Sequence, residues 1–205
     1  RQPIPRSLSM TLYGDLNLSI IDELPPNRSK VETLKSSPGQ RMQIHRDIQT
    51  CLSNKEPVFI VFPLTTESEH LDLLNASDAL DEYRNLYPKA KIELLHGKMK
   101  NDEKDIISKK LMRKEVDILI ATTIIEVGID IPEASLMIIE HANRYGLSQL
   151  HQLRGRVGRG GKPGKCYLVV DKSAGEIALK RMDVMLQTTD GFVIAEEDLN
   201  IRGPG

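Results

Sequence analysis

Apolar and polar positions change their period repeatedly along this chain. "VFIVF" (58–62), "KIELL" (91–95), "VDILIA" (116–121), "ASLMIIE" (134–140) and "KCYLVV" (165–170) are short, largely apolar runs. Runs of this length, with few polar interruptions, predict strands buried on both faces. Between them the apolar positions recur at helical spacing. "SPGQ" (37–40) opens a helix to about Lys55, with Met42, Ile48, Cys51 and Leu52 on its apolar side. Residues 69–87 are helical up to Pro88, which cannot continue a helix. Residues 101–114 follow the same rule, with Ile107 and Leu111 one turn apart, and a helix covers 147–158. Two more helical stretches, 175–188 and 194–201, close the chain. Ahead of all these, 7–14 reads as a helix end and "LNLSIID" (16–22) as a strand. "DELPPN" (22–27) reads as a rigid turn, and "KVETLK" (30–35) alternates like a strand.

Apolar strands alternating with helices define an α/β class: a parallel sheet of five or more strands with helices on both faces. The last thirty or so residues read as an α-helical appendage. Ligands of such sheets sit beyond the carboxyl ends of the strands, so chemistry is expected in the loops after Phe62, Leu95, Ala121 and Glu140.

Composition adds limits. The chain has 205 residues, 40% hydrophobic and 28% charged, with a net charge of −1. Any nucleic-acid role must therefore rest on a local patch. The two cysteines, Cys51 and Cys166, have no CxxC spacing, which disfavours a disulfide framework and fits a reducing cytoplasm. The five histidines make no zinc spacing with them, so no metal site is expected. No apolar run approaches the ~18 residues of a membrane span. "RQPIPRSLSM" at the start has no signal-peptide core, and "IRGPG" at the end is turn sequence, so the chain is expected to be a piece of a longer protein.

Three stretches carry candidate chemistry. "QLHQLRGRVGRGG" (149–161) puts three arginines and four glycines in thirteen positions. On a helix, Leu150, Leu153 and Val157 would share a stripe, while Gln149, Gln152, Arg156 and Arg159 would share another face. Guanidinium forks match phosphate oxygens, and each glycine costs a helix ~1 kcal/mol, which suggests close approach by a partner. A basic solvated loop is the plain alternative. In "ILIATTIIEVGIDIPEASLMII" (118–139), Thr122 and Thr123 end a strand, Gly128 marks a bend, and Asp130 could meet a ribose hydroxyl or an arginine. A strand–turn–strand capped by Thr122 explains the same residues. "LLHGKMKNDEKD" (94–105) sets His96 and Gly97 after a strand, as a backbone contact for nucleic acid or as a capped loop. No Gly-Lys-[Ser/Thr] sits where a phosphate-cradling loop needs it. Phosphate-seeking arginines without a cradle imply half of a composite site.

These motifs carry a resemblance. "ATTIIEVGIDIP" resembles helicase motif V, "QLHQLRGRVGRG" motif VI, "LLHGKM" motif IVa and "VFIVFPLTTESE" motif IV of superfamily 2 helicases. With "PIPRSLSMTLYGDLNLSIIDELPPNR" (3–28) and "TTDGFVIAEEDLNIRGPG" (188–205), the combination resembles the RecG-type family of bacterial ATP-dependent DNA helicases, which remodel branched DNA. The family's Thr-Ala-Thr is not found before "PIPR", so motif III chemistry is not assigned to this chain.

The resemblance implies a RecA-like sheet followed by a helical hairpin. It divides the chain into a connecting segment (1–36), a second motor domain (37–172) and the start of a translocation hairpin (173–205). It implies that Arg156 and Arg159 reach a nucleotide on a first RecA-like motor domain, with Gln152 at the γ-phosphate and Gly128 and Asp130 lining the nucleotide side. It implies DNA contacts by Thr122, Thr123, His96 and Gly97. Arg181, Asp190, Gly191 and Arg202 would couple hydrolysis to movement. ATP and Mg²⁺ would be cofactors of the full-length protein and not of this piece alone, which would be inactive. Branched or duplex DNA is the expected partner, for a single copy in the cytoplasm serving DNA repair and recombination, with no membrane. Two other readings remain at this point: the motor half of a transcription-repair coupling factor, and a non-catalytic nucleic-acid-binding module.

Overall fold

The structure is a computed structural model that describes residues 31–63, 69–122, 132, 134–158 and 163–202. The readings for 7–14, 16–22 and 22–27 lie outside these residues. Six strands form one sheet: β1 (Val31–Ser36), β2 (Val58–Phe62), β3 (Ile92–Leu95), β4 (Ile118–Thr122), β5 (Leu136–Ile139) and β6 (Gly164–Val169). Their order is β1-β6-β5-β2-β4-β3, and every pairing is parallel. Parallel neighbours need crossovers, and the helices supply them. They are α1 (Met42–Ser53), α2 (Glu69–Leu86), α3 (Asn101–Met112), α4 (Leu147–Arg154), α5 (Glu176–Gln187) and α6 (Gly191–Arg202).

Alternation along each strand sends successive side chains to opposite faces. Val58, Ile60, Ile118, Ile120, Leu136 and Ile138 meet Ile44 and Ile48 of α1 and Ala76, Ala79 and Tyr83 of α2. Phe59, Val61, Leu119, Ala121, Met137 and Ile139 meet Ile107 and Leu111 of α3 and Leu150 and Leu153 of α4 on the other side. The expected α/β class, helices on both faces of a parallel sheet, is therefore what forms, because the central strands have no polar face to give to water.

Three local differences have physical causes. Helix α1 starts at Met42 and not at the "SPGQ" segment, which is a turn closed by Gln40 N–H on the Ser37 carbonyl at 2.9 Å. Met42 is 70% exposed, so it is not on the buried side; Ile44, Ile48 and Cys51 are. The alternating segment ahead of α1 is an edge strand, β1, paired along its length with β6. The closing helices, expected as an appendage, pack into the main core: Met182 and Met185 of α5 and Ile194 of α6 are each fully buried there.

Candidate functional site

Because all strands run the same way, their carboxyl ends share one rim, and the sequence-selected loops start from it. Thr122 ends β4, fully buried, and its hydroxyl oxygen has no hydrogen-bond partner among the described residues. Thr123, Gly128 and Asp130 lie outside the described residues. His96 and Gly97 follow β3. A side chain on Gly97 would meet nothing of this chain within 4 Å, so the fold itself does not require glycine there. Lys104 instead donates from Nζ to the Gly97 carbonyl at 2.8 Å, and Glu103 accepts the Lys100 N–H at 2.9 Å, which fixes the start of α3.

The His96 Nδ1 is buried without a partner, and burial pushes the ring below the usual histidine pKa. The ring is therefore neutral near pH 7. In an NMR titration His96 is expected to protonate below the ordinary value of about 6.5. The sign for stability follows: below that value the unfolded chain takes up the proton first, so protonation favours unfolding, and this loss is absent above it. A midpoint at or above the ordinary value would remove the neutral, half-buried ring from this site.

The arginine segment departs from expectation. Helix α4 stops at Arg154, four residues before the expected end at Gly158, and Gly155 caps it. Val157 leaves the helix to bridge Ala134 ahead of β5. The Ala134 N–H donates to the Arg156 carbonyl at 2.8 Å, and the Gly158 N–H donates to the Ala134 carbonyl at 2.9 Å. Arg156 thus sits on a braced turn and not on the helical face with Gln152, which stays exposed on α4; Arg159 lies outside the described residues. At Gly158 the chain's own backbone calls for glycine. Gly158 has φ 97°, a region that L side chains avoid. A Cβ on Gly164 would lie 2.6 Å from Val157 Cγ1 and 2.9 Å from the Gly158 nitrogen.

Sequence reasoning missed Arg154. It is 3% exposed, and its Nη1 donates to the Met185 carbonyl at 2.7 Å and the Thr188 carbonyl at 2.8 Å. It thereby ties α4 to the carboxyl end of α5, where helix carbonyls lack partners of their own. The signal was present: Arg154 shares the buried stripe of Leu147 and Leu150. In the hairpin, Asp190 caps α6 by accepting the Phe192 N–H at 2.8 Å, and Gly191 is buried as the first residue of that helix. Arg181 is half-buried with its Nε unpartnered; Arg202 closes α6, and nothing of its side chain is described.

Ion pairs, also unforeseen, line the rim. Arg41 meets Glu140 through two contacts of 2.7 Å, and that carboxylate holds the guanidinium well above its ordinary pKa. Arg144 meets Asp72 at 2.7 Å, and His141, in the left-handed region at φ 49°, meets Asp171 at 2.8 Å. A cavity of about 220 Å³ beside them carries Asp78, Glu82 and Glu140 against Arg41, an acidic lining that repels phosphate. A second, of about 410 Å³, lies among Leu52, Tyr87, Pro88 and Ala90 at the amino-terminal end of the strands, away from the rim. Neither is a phosphate cradle. Both cysteines are free and buried, and burial pushes Cys51 up to about 11 and Cys166 up to about 12. Among the described residues no helix is long and apolar enough to cross a membrane.

A six-stranded parallel sheet, with His96, Gly97 and Thr122 at its carboxyl rim and the Arg156 turn at the opposite edge beside Ala134, defines a class. Residues 40–161 match the helicase conserved C-terminal domain, and the chain belongs to that family. Within it the similarity is to RecG. The chain is 50% identical over 206 residues to the ATP-dependent DNA helicase RecG of Aquifex aeolicus (strain VF5), covering 99% of this chain and 26% of that protein. It is 50% identical over 204 residues to the RecG of Pasteurella multocida (strain Pm70), covering 99% and 29%. The structure of RecG bound to a three-way DNA junction superposes with a TM-score of 0.79 at 41% identity, over 99% of this chain and 26% of that one. The fold is thus the RecA-like fold of a helicase C-terminal domain, and the chain spans about a quarter of the length of these relatives.

Proposed function

We propose that this chain is the second motor half of an ATP-dependent branched-DNA helicase or translocase, completing an ATPase site whose other walls belong to a first RecA-like half. ATP and Mg²⁺ belong to that first half. This chain has no phosphate-cradling loop, and among the described residues no group of three or more His, Cys, Asp or Glu is placed to hold a metal ion. Arg156 and Arg159 meet the charge that develops on the transferred phosphoryl group, and Gln152 senses the γ-phosphate. Gly128 and Asp130 line the nucleotide side. Thr122, Thr123, His96 and Gly97 follow the DNA backbone. Arg181, Asp190, Gly191 and Arg202 serve the hairpin that turns closure into movement along DNA. In this division 1–36 connects the motor halves and ends in β1, which joins the motor sheet, 37–172 is the motor domain and 173–205 begins the hairpin. The full-length protein works as a single copy in the cytoplasm, in DNA repair and recombination.

One observation carries this reading. The arginine turn is braced by backbone hydrogen bonds to Ala134 on one side and tied through Arg154 to the hairpin on the other. An arginine held as Arg156 is, in a chain with no phosphate cradle of its own, suits a catalytic group delivered to a nucleotide bound elsewhere. The experiment is a phosphate-release assay on this chain alone, with and without fork DNA. No turnover above background is expected, whereas the full-length protein turns over ATP. Hydrolysis by the pure chain would end the composite-site reading.

A further inference from the structure

Two separate parts of the rim are tied by an ion pair whose carboxylate is buried. Asp72 lies one turn into α2, just beyond the segment that follows β2, and its side chain is 1% exposed. Arg144 ends the short 3-10 turn Ala142–Arg144, with only Tyr145 and Gly146 before α4. Its Nη1 donates to Asp72 Oδ1 at 2.7 Å and its Nη2 to Oδ2 at 3.2 Å. Two parallel contacts set the plane of the guanidinium as well as its distance. The exposed pair Lys35–Asp183, at 3.9 Å, has no such geometry.

Apolar contacts of Leu147, Leu150 and Leu153 seat α4 on the sheet, but such contacts are not directional. A buried ion pair gives little net stability over apolar residues of similar volume, so what it adds is orientation. The neighbouring Arg41–Glu140 pair holds the first residue of the same β5–α4 connection, so the connection is tied at both ends.

We propose that the Asp72–Arg144 pair is a positioning strut that makes the start of α2 and α4 move as one body, so that nucleic acid engaged at the strand ends sets the placement of Arg156 beyond α4. The inference rests on the function proposed above and adds to it the path of the coupling. Neither residue touches ATP or DNA; both act through Gln152 and Arg156.

The test uses the full-length protein. Asp72→Leu combined with Arg144→Met removes both charges at similar volume and leaves no lone buried charge. Basal ATP turnover, turnover with saturating fork DNA and the Kd for fork DNA are measured. DNA-stimulated turnover is expected to fall about ten-fold, within the usual range of coupling between sites, while basal turnover and Kd each change by less than about two-fold. Retained stimulation, or a parallel fall of basal and stimulated rates, overturns the strut. Arg144→Lys keeps the charge and loses the planar fork, and stimulation must fall for it too; a wild-type response overturns the orientation argument even where the double variant folds poorly. Arg156→Ala run alongside separates the two levels. If it leaves ATP turnover intact, the composite site itself fails. If it abolishes turnover while the double variant keeps its stimulation, only the strut fails.

Discussion

In the full-length protein, Arg159→Ala is expected to lower DNA-stimulated ATP turnover by about 10³-fold or more, the scale on which an arginine acting on a transferred phosphoryl group contributes. Arg156→Ala is expected to fall in the same direction. The guanidinium interacts most strongly with charge that appears in the transition state, so the loss belongs in kcat and not in KM for ATP. The two effects will not add, because two forks on one phosphoryl group act as a unit. DNA affinity should change little, and its salt dependence should keep its slope, since no phosphate of the DNA backbone loses a cation. The measurements are steady-state phosphate release and a salt titration of fork-DNA binding. A variant with near-normal turnover but weakened DNA binding and a shallower salt slope would instead describe a non-catalytic nucleic-acid-binding module.

How much of this was legible in the residues differs between the sheet and its rim. "VFIVF" became β2 at Val58–Phe62, because a run with no polar face has only one place to go. The end of α4 was not legible. Leu150, Leu153 and Val157 keep helical spacing, yet Val157 is claimed by a bridge to Ala134, a tertiary contact that a local pattern does not contain. The hairpin looked like an appendage because it follows the last strand-like run, but Met182, Met185 and Ile194 seat it in the core. The rim ion pairs join residues as far apart as Arg41 and Glu140, with no local signature in either segment. His96, Gly97 and Thr122 could be set at strand ends from sequence alone, because the apolar runs before them mark where the strands stop.

Arg154→Ala is expected to separate hydrolysis from movement. The substitution removes two charge-assisted hydrogen bonds and leaves the Met185 and Thr188 carbonyls without this donor at the end of α5. At 1.5–3 kcal/mol for each such bond, the local loss is about 3 kcal/mol or more. That corresponds to roughly 10²-fold more frequent opening of the α4–α5 contact, so amide exchange in α5 should quicken by about that factor. The α4 stem keeps Leu147, Leu150 and Leu153 in the core, and the Arg156 turn keeps its hydrogen bonds to Ala134, so Arg156 stays in place. ATP turnover is therefore expected to stay near that of the unaltered protein, while fork-DNA unwinding falls steeply. Arg154→Lys reaches the carbonyls with a point charge in place of a fork and should recover part of the unwinding. If turnover and unwinding instead fall together, Arg154 serves the catalytic turn itself, and the hairpin has to be coupled to the motor by another route.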